Sequence, residues 1–401
     1  MRLLFAPFFL VFLLTFTQAR STIRGSLPNL QRALGQVVKD SNSSNTPPNV
    51  TTTIPLTNTT VCNGYAELCS RKYSNVTLVG AHNSPFVQRN NLAANQNLKV
   101  TQQLDDGIRF VQAQMHFPAQ DNGTGPHFCH TSCELLDAGP IEGWLTEVRT
   151  WVDAHPQDFV TILLGNGNYS AASMYAPHIE ASGLVPYAFV PPPTTTTAAG
   201  LALDAWPTLG EMLADGKRVL MMLDYKANQT AYPWLLDEFA YLWETPFDPV
   251  VTSVPVTETL PCPVQRPPDL PPGVANSTLY LMNHNVNLAV SLLGQNFTVP
   301  ALALLNQSNA ATGINSLGAA AEVCVDTWGR PPLILNVDYY DQGAPPGSVF
   351  EVAAKLNGVS YENTCCGKTA LEVVSGAVHR SIPLLLLVTI TVAATMGLWL
   401  W

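Results

Sequence analysis

A TIM-type (β/α) barrel is the fold class this chain predicts, and three observations carry it. Six separated segments each open apolar and β-branched and close polar. Amphipathic runs lie between them. Once both ends are set aside, roughly 300 residues remain, a length that suits one large α/β domain.

The six segments are "VTLVGAHNS", "GIRFVQAQMHF", "FVTILLGNGN", "RVLMMLDYKAN", "TLYLMNHNVN" and "PPLILNVDYYD". Near-continuous apolar runs of this length fit strands buried on both faces, as in a parallel sheet. The intervening "GWLTEVRTWVDAHP" and "GINSLGAAAEVCVDTW" place apolar residues three or four apart, with Gly or Pro near their ends, and predict helices. Successive strand, helix, strand units cross over right-handedly, and a run of them closes into a barrel, expected here to be distorted or incomplete and stapled by disulfides. An open doubly wound sheet is the alternative, although no Gly-rich phosphate fingerprint follows the first strand.

Both ends of the chain predict addresses rather than fold. Residues 1–19 carry one early positive charge, an apolar run and a close on small residues, the pattern of a cleaved secretory signal. Residues 20–61 are rich in Ser, Thr, Asn and Pro, and such a segment buries too little apolar surface to offset its ordering entropy, so a glycosylated stalk is expected. Residues 62–362 form the expected barrel domain, interrupted by two Pro-rich insertions, "VPPPTTTT" and "PCPVQRPPDLPPG", read as surface loops. Residues 363–382 are a linker, and 383–401 form an apolar tail with no charge after it. Such a tail suits a signal exchanged for a glycolipid (GPI) anchor, with 375–377 ("SGA") or a place near Gly367 as attachment site; a plain membrane span is the alternative.

Asn-x-Ser/Thr sequons at Asn42, Asn49, Asn58, Asn75, Asn122, Asn168, Asn228, Asn276, Asn296 and Asn306 agree with secretion. The formal net charge of −10 argues against a nucleic-acid partner and against broad adhesion to anionic lipid. Eight cysteines in a secreted chain predict disulfides. Cys62 with Cys69, and Cys129 with Cys133, are the local pairs; adjacent Cys365 and Cys366 are expected to bond elsewhere, for example toward Cys262 and Cys324. The short frame "HFCHTSC" around His130 therefore reads as a disulfide loop rather than zinc, which wants four ligands.

Chemistry in such barrels sits at the C-terminal ends of the strands. Those ends offer His82, Asn83 and Ser84; Gln112, Gln114 and His116; His130; Asn166 and Asn168; Asp224 and Lys226; Asn283, His284 and Asn285; and Asp338, Tyr339, Tyr340 and Asp341. Two imidazoles facing each other suit displacement at phosphorus. One accepts the proton of the attacking hydroxyl and the other protonates the leaving oxygen. Asp338 is the carboxylate best placed to orient the base. His82 and His130 as plain hydrogen-bonded residues at strand ends is the competing reading.

"TLVGAHNSPF", "TQQLDDGIRFVQAQMHF", "HFCHTSC" and "FVTILLGN" together resemble the X domain of the phosphatidylinositol-specific phospholipase C superfamily, in the style of the secreted fungal PLC-like phosphodiesterases, which are often GPI-linked. The resemblance runs in order over residues 76–166 and is weaker at "VLMMLDYKAN" and "LILNVDYYD". It implies His82 as the general base toward the inositol 2-hydroxyl, His130 as the general acid toward the leaving diacylglycerol oxygen, and Asp338 as the partner of His82. Asn83 resembles the calcium-ligating asparagine of the animal enzymes.

The second strand departs from the family. Where the animal enzymes carry acidic calcium ligands and the bacterial ones an arginine, this chain has neutral Gln112 and Gln114. Calcium prefers several oxygens that usually include carboxylates, so no metal and no cofactor is expected. Asn83, Gln112, Gln114, Asn166, Asp224 and Lys226 are the expected substrate-binding residues, and Lys226 is either a substitute cation or a solvated loop lysine. The expected activity is a metal-independent phosphodiesterase acting as a monomer on a phospholipid or phosphoinositol glycan at a membrane surface. The alternative is a catalytically silent barrel serving as a cell-surface binding or structural glycoprotein.

Overall fold

The computed structural model describes residues 60–366, apart from 89–90, 120–122, 194–199, 252–255, 293–294 and 363–364. The signal, most of the stalk, the anchor-site candidates and the apolar tail fall outside the described residues. Among those described, no helix is long and apolar enough to cross a membrane.

The described strands, in chain order, are β1 (Leu78–Ala81), β2 (Phe110–His116), β3 (His127–Cys129), β4 (Asp137–Pro140), β5 (Val160–Asn166), β6 (Val219–Leu223) and β7 (Leu235–Asp237). They continue with β8 (Leu242–Glu244), β9 (Val250–Val251), β10 (Leu279–Asn283), β11 (Asn287–Leu292), β12 (Gln295–Pro300) and β13 (Ile334–Val337). Eight of them lie side by side in the order β7, β6, β5, β2, β1, β13, β10, β8, and every neighbouring pair is parallel. That order follows the chain around a ring, as a (β/α) barrel requires. The ring is incomplete. β7 and β8 form its two ends, and among the described residues no ladder joins them.

Alternation along the strands separates two cores. Leu78, Phe110, Leu163, Leu220, Met222, Leu236, Leu242, Leu279, Leu281 and Ile334 point to the barrel interior and pack together. Val79, Ala81, Val111, Ala113, Ile162, Leu164, Met221, Leu223, Leu335 and Val337 face the helices. Burial on both faces explains why the strands read as continuous apolar runs rather than alternating ones.

The two expected helices are present at Ile141–Ala154 and Leu317–Trp328. The first buries Ile141, Leu145, Val148, Trp151 and Val152, one stripe at helical spacing. The second starts where the Ser316 side chain accepts the Ala319 amide and stops at Gly329, whose φ of 68° supplies the left-handed cap.

β7 and β8 were not among the expected strands. Each has three residues, and the apolar spacing of "WLLDEFAYLWE" serves a helix as well as a strand. A smaller sheet, β9, β11 and β12, is also additional.

Cys62 pairs with Cys69 and Cys129 with Cys133, as expected. The other two pairings differ from expectation, because Cys262 bonds Cys324 and Cys365 bonds its neighbour Cys366. Cys262 and Cys324 are both buried, with Cα atoms 5.2 Å apart, inside the span a disulfide bridges. The Pro-rich segment bearing Cys262 is thus fixed to the Leu317–Trp328 helix rather than free on the surface.

Candidate active site

The barrel's C-terminal mouth holds a cavity of about 480 Å³. His82, Asn83, Gln112, Gln114, His116, His130, Asn166 and Asp224 line it. It is joined by residues the sequence did not suggest: Glu238, Phe247, Asp248, Tyr225, Tyr169 and Arg266.

His82 follows β1 and Asp338 follows β13, and these strands are paired in register through Ala81 and Val337. The register therefore puts the two side chains side by side. His82 Nδ1 meets Asp338 Oδ1 at 2.7 Å, both residues being buried. A carboxylate can only accept, so the proton of this bond sits on Nδ1, and Nε2 is the nitrogen left for chemistry. Burial pulls the His82 pKa down, but the Asp338 carboxylate, with Asp248 and Glu244 further off, outweighs it, and the net direction is upward from 6.5.

His130 enters from the β3 hairpin, which pairs antiparallel with the end of β2. Its amide donates to Leu136 O at 2.9 Å and its Nδ1 to Ala93 O at 2.5 Å, while the ring stacks on Phe86 at 5.2 Å. The Cys129–Cys133 disulfide closes this turn. Its Nε2 lies 3.4 Å from Asn83 Nδ2. Burial first, and the positive side of His82, push the His130 pKa below 6.5. The two imidazoles thus sit at one cavity with their proton affinities displaced in opposite directions.

The β2 glutamines behave differently from one another. Gln112 Oε1 accepts Asn336 Nδ2 at 3.0 Å, and Asn336 reaches on to Asn283, which donates to Glu244 Oε2 at 2.9 Å. Gln112 is therefore tied into a polar layer across the barrel, whereas Gln114 Oε1 only approaches His116 Nε2 at 3.4 Å. A calcium ion does not fit this strand, since both residues are neutral and one oxygen is already engaged.

Other expected residues serve the scaffold. Asn166 lines the cavity, but its side chain is spent on Ser170, Tyr225 and Tyr175. Lys226 is exposed, with φ of 63° turning the chain away, and it does not line the cavity. His284 Nε2 donates to Ser308 O at 3.0 Å and is buried; Tyr340 bonds Asp106, and Asp341 holds Asn97.

Among the described residues that line the cavity, the permanent cation is Arg266, from the Pro-rich insertion. An antiparallel bridge ties it to Glu244 at the edge strand β8. Its guanidinium holds both Glu244 oxygens at 3.1 and 3.2 Å, Asp224 Oδ2 at 3.5 Å and the Tyr225 hydroxyl at 3.2 Å. It also lies 4.6 Å from the Phe247 ring and 5.2 Å from Phe239. Burial raises the Asp224 pKa to about 6, despite the Asn166 amide and Arg266. Burial first, and then the neighbouring Glu244, push the Glu238 pKa well above the usual carboxylate range.

A fold of eight parallel strands with two histidines and an aspartate at its mouth defines a barrel with the parts for acid and base chemistry. The family model described as PI-PLC X 1 matches residues 68–357, and the chain belongs to the PI-PLC X domain family. Two relatives come from Arthroderma benhamiae. One, named "Uncharacterized secreted protein", is 47% identical over 313 residues, covering 78% of this chain and 67% of its own length. The other, "PI-PLC X domain-containing protein 1", is 37% identical over 307 residues, 76% of this chain and 92% of its own. Among solved structures, the phosphatidylinositol-specific phospholipase C from Listeria monocytogenes is similar at 14% identity with a TM-score of 0.45, over 72% of this chain and 95% of that one.

Proposed function

We propose that this chain is a PLC-like phosphodiesterase that cleaves a lipid or glycan phosphodiester by intramolecular attack, without a metal ion. The observation that supports this best is the 2.7 Å bond from His82 Nδ1 to Asp338, with His130 at the same cavity. Neutral His82 takes the proton from a hydroxyl next to the phosphoester through Nε2. That oxygen bonds phosphorus, the bond to the leaving alcohol breaks, and protonated His130 supplies the alcohol's proton. The products are a cyclic phosphodiester and the free alcohol. Each such proton transfer contributes roughly 10²- to 10⁴-fold.

Secretion to the cell surface, with a glycolipid anchor, goes with this reading. The signal-like residues 1–19, the sequons and the apolar tail support it, as does the name of the secreted relative.

A second reading has its own support. Gln112 and Gln114 are neutral, and Asp224, Glu238 and Asp248 line the cavity beside Arg266, which carboxylates already hold, a poor welcome for an anionic diester. On that ground the barrel is a binding protein without turnover. Incubation of the purified protein with phosphatidylinositol micelles in chelator, followed by phosphorus NMR, separates the two. A cyclic phosphate absent from His82→Ala and His130→Ala supports the enzyme, whereas no product from a panel of lipid and glycan phosphodiesters supports the binding protein.

A further inference from the structure

We propose that Asn95 is the positioning residue of this site, the hub of a hydrogen-bond chain that joins the two imidazoles and fixes their tautomers and orientations. It belongs to a strap, residues 93–96, laid across the exits of β1 and β13, in which Ala94, Asn95 and Gln96 are buried and Ala93 partly so. Every residue of the strap grips part of the site. Ala93 O takes His130 Nδ1, Ala94 O takes the Tyr339 hydroxyl, and Gln96 Nε2 donates to the carbonyls of His82 and Val337 at 2.7 and 3.1 Å. Asn95 does most. Its carbonyl accepts the Tyr339 amide at 2.8 Å, and its side-chain Nδ2 donates to Asp338 Oδ1 at 3.0 Å.

The orientation of that side chain is forced. Asp338 can only accept, so the Asn95 amide nitrogen must face it, leaving Oδ1 to accept Asn83 Nδ2 at 3.2 Å. Asn83 Nδ2 in turn lies 3.4 Å from His130 Nε2. Because His130 Nδ1 faces a carbonyl, Nδ1 carries the proton, and Nε2 is the lone pair that Asn83 addresses. The chain thus runs His82, Asp338, Asn95, Asn83, His130. The Asn95 N–H shares the Asp338 oxygen that His82 uses and so tempers the pull on that imidazole, while the Asn83 amide, by donating to the Nε2 lone pair, favours a neutral His130.

Asn83, within the chain, and Tyr339, beside it, are left-handed at φ 49° and φ 46°, directly after His82 and Asp338. Conformations of this kind persist only where surrounding bonds fix them. Asn95 bonds both. Its consequence for the reaction is a resting lock: His130 can deliver a proton from Nε2 only after Asn83 turns away. The contact to be given up, at 3.4 Å, is the longest in the chain. A phosphate oxygen is a stronger acceptor than neutral imidazole and would draw the Asn83 amide off.

The kinetic side of this proposal rests on the two-histidine reading above, but its test does not. The full chain carrying ¹³C-labelled histidine is titrated by NMR in wild type, Asn95→Asp and Asn95→Ala. Asn95→Asp keeps the shape and the acceptor toward Asn83 but turns the donor facing Asp338 into a second carboxylate, and it is expected to raise the His82 midpoint by about one pH unit. Asn95→Ala, which removes the donor from Asp338 without adding charge, is expected to raise the His82 midpoint by a smaller amount. If either variant fails to fold, Asn83→Gly cuts the next link while suiting the local φ of 49°, and it is expected to raise the His130 midpoint. Midpoints unchanged in the folded variants, with only the melting temperature lowered, would overturn the proposal. A wild type inactive on every phosphodiester, with midpoints that move as described, would sink the enzyme reading and leave Asn95 as the hub.

Discussion

Two corners of the same mouth hold buried charge in opposite ways. At the β1 and β13 exits, one carboxylate faces one imidazole, and the ring keeps a free nitrogen toward the cavity. Near β8, Arg266 is gripped by Glu244 and Asp224, bonded by Tyr225 and stacked against aromatic rings. The first corner leaves a proton free to move; the second leaves no charge unspent. A charged residue lining a cavity is thus not by itself a working group. What separates the corners is whether the surroundings satisfy every donor. Arg266 closes the polar layer where the ring of strands is open, and its bridge to Glu244 of the edge strand β8 makes it a seal.

Substitutions sharpen the contrast. The largest expected effect is on the histidine side, where Asp338→Asn lowers kcat/KM by on the order of 10²- to 10⁴-fold by disturbing the tautomer and orientation of His82. Its melting temperature changes by only a few degrees. Arg266→Ala reverses the pattern: stability falls by about 3–5 kcal/mol in denaturant titration, because Glu244 and Asp224 lose their buried partner. Activity measured well below the new midpoint changes far less. Comparable activity losses in the two variants, with Arg266→Ala still stable, would make Arg266 a reacting-site cation and erase the distinction between the corners.

The corners also differ in pH dependence. With His82 raised above 6.5 and His130 lowered below it, kcat/KM is expected to be bell-shaped, the acid limb belonging to His130 and the alkaline limb to His82. His82 contributes stability that is fully present below 6.5 and is lost as pH rises through its higher folded value. Asp224 acts in a lower window. Its folded pKa of about 6 exceeds the ordinary 3.8, so the neutral acid favours the fold, and that contribution fades as pH climbs from 3.8 to about 6. Stability curves of Asp224→Asn and wild type should therefore diverge between those values. Parallel curves would show that Arg266 already holds Asp224 as a carboxylate.

The histidine corner was legible in the sequence and the arginine corner was not. His82, His130 and Asp338 each end a strand or a stapled turn, and polar residues after an apolar run mark the barrel's mouth. The six long strands carry that signal. β7 and β8, at three residues each, are too short to carry a period, so Glu238 and Glu244 at their ends went unread. Arg266 was hidden in "PCPVQRPPDLPPG", where proline density suggested an exposed loop, but Cys262 pins this segment to a helix. Lys226 is the converse case, since of its two readings, substitute cation or solvated loop lysine, exposure at a left-handed turn favours the second. Asn95 and Gln96 lie in a loop with no periodic signal, and only the strand register brings their targets together.

The smallest expected change in stability, and the finest test of the contrast, concerns the turn that carries His130. Cys129 and Cys133 close a loop with a sequence separation of 4, and a loop that short restrains the unfolded chain little, so its removal costs about 2 kcal/mol or less. The same bond fixes the turn on which the His130 amide reaches Leu136 O and the ring reaches Ala93 O. A displacement of about 1 Å in a reacting group costs on the order of 10²-fold in rate. Cys129→Ser/Cys133→Ser is therefore expected to lose more in kcat than in folding free energy, measured by turnover and by denaturant titration on the same sample. The Arg266 corner, far along the ring, should keep its pH-dependent stability window unchanged in this variant. Equal losses of activation and folding free energy would mean that the disulfide staples the barrel as a whole, and that His130 is held by its neighbours alone.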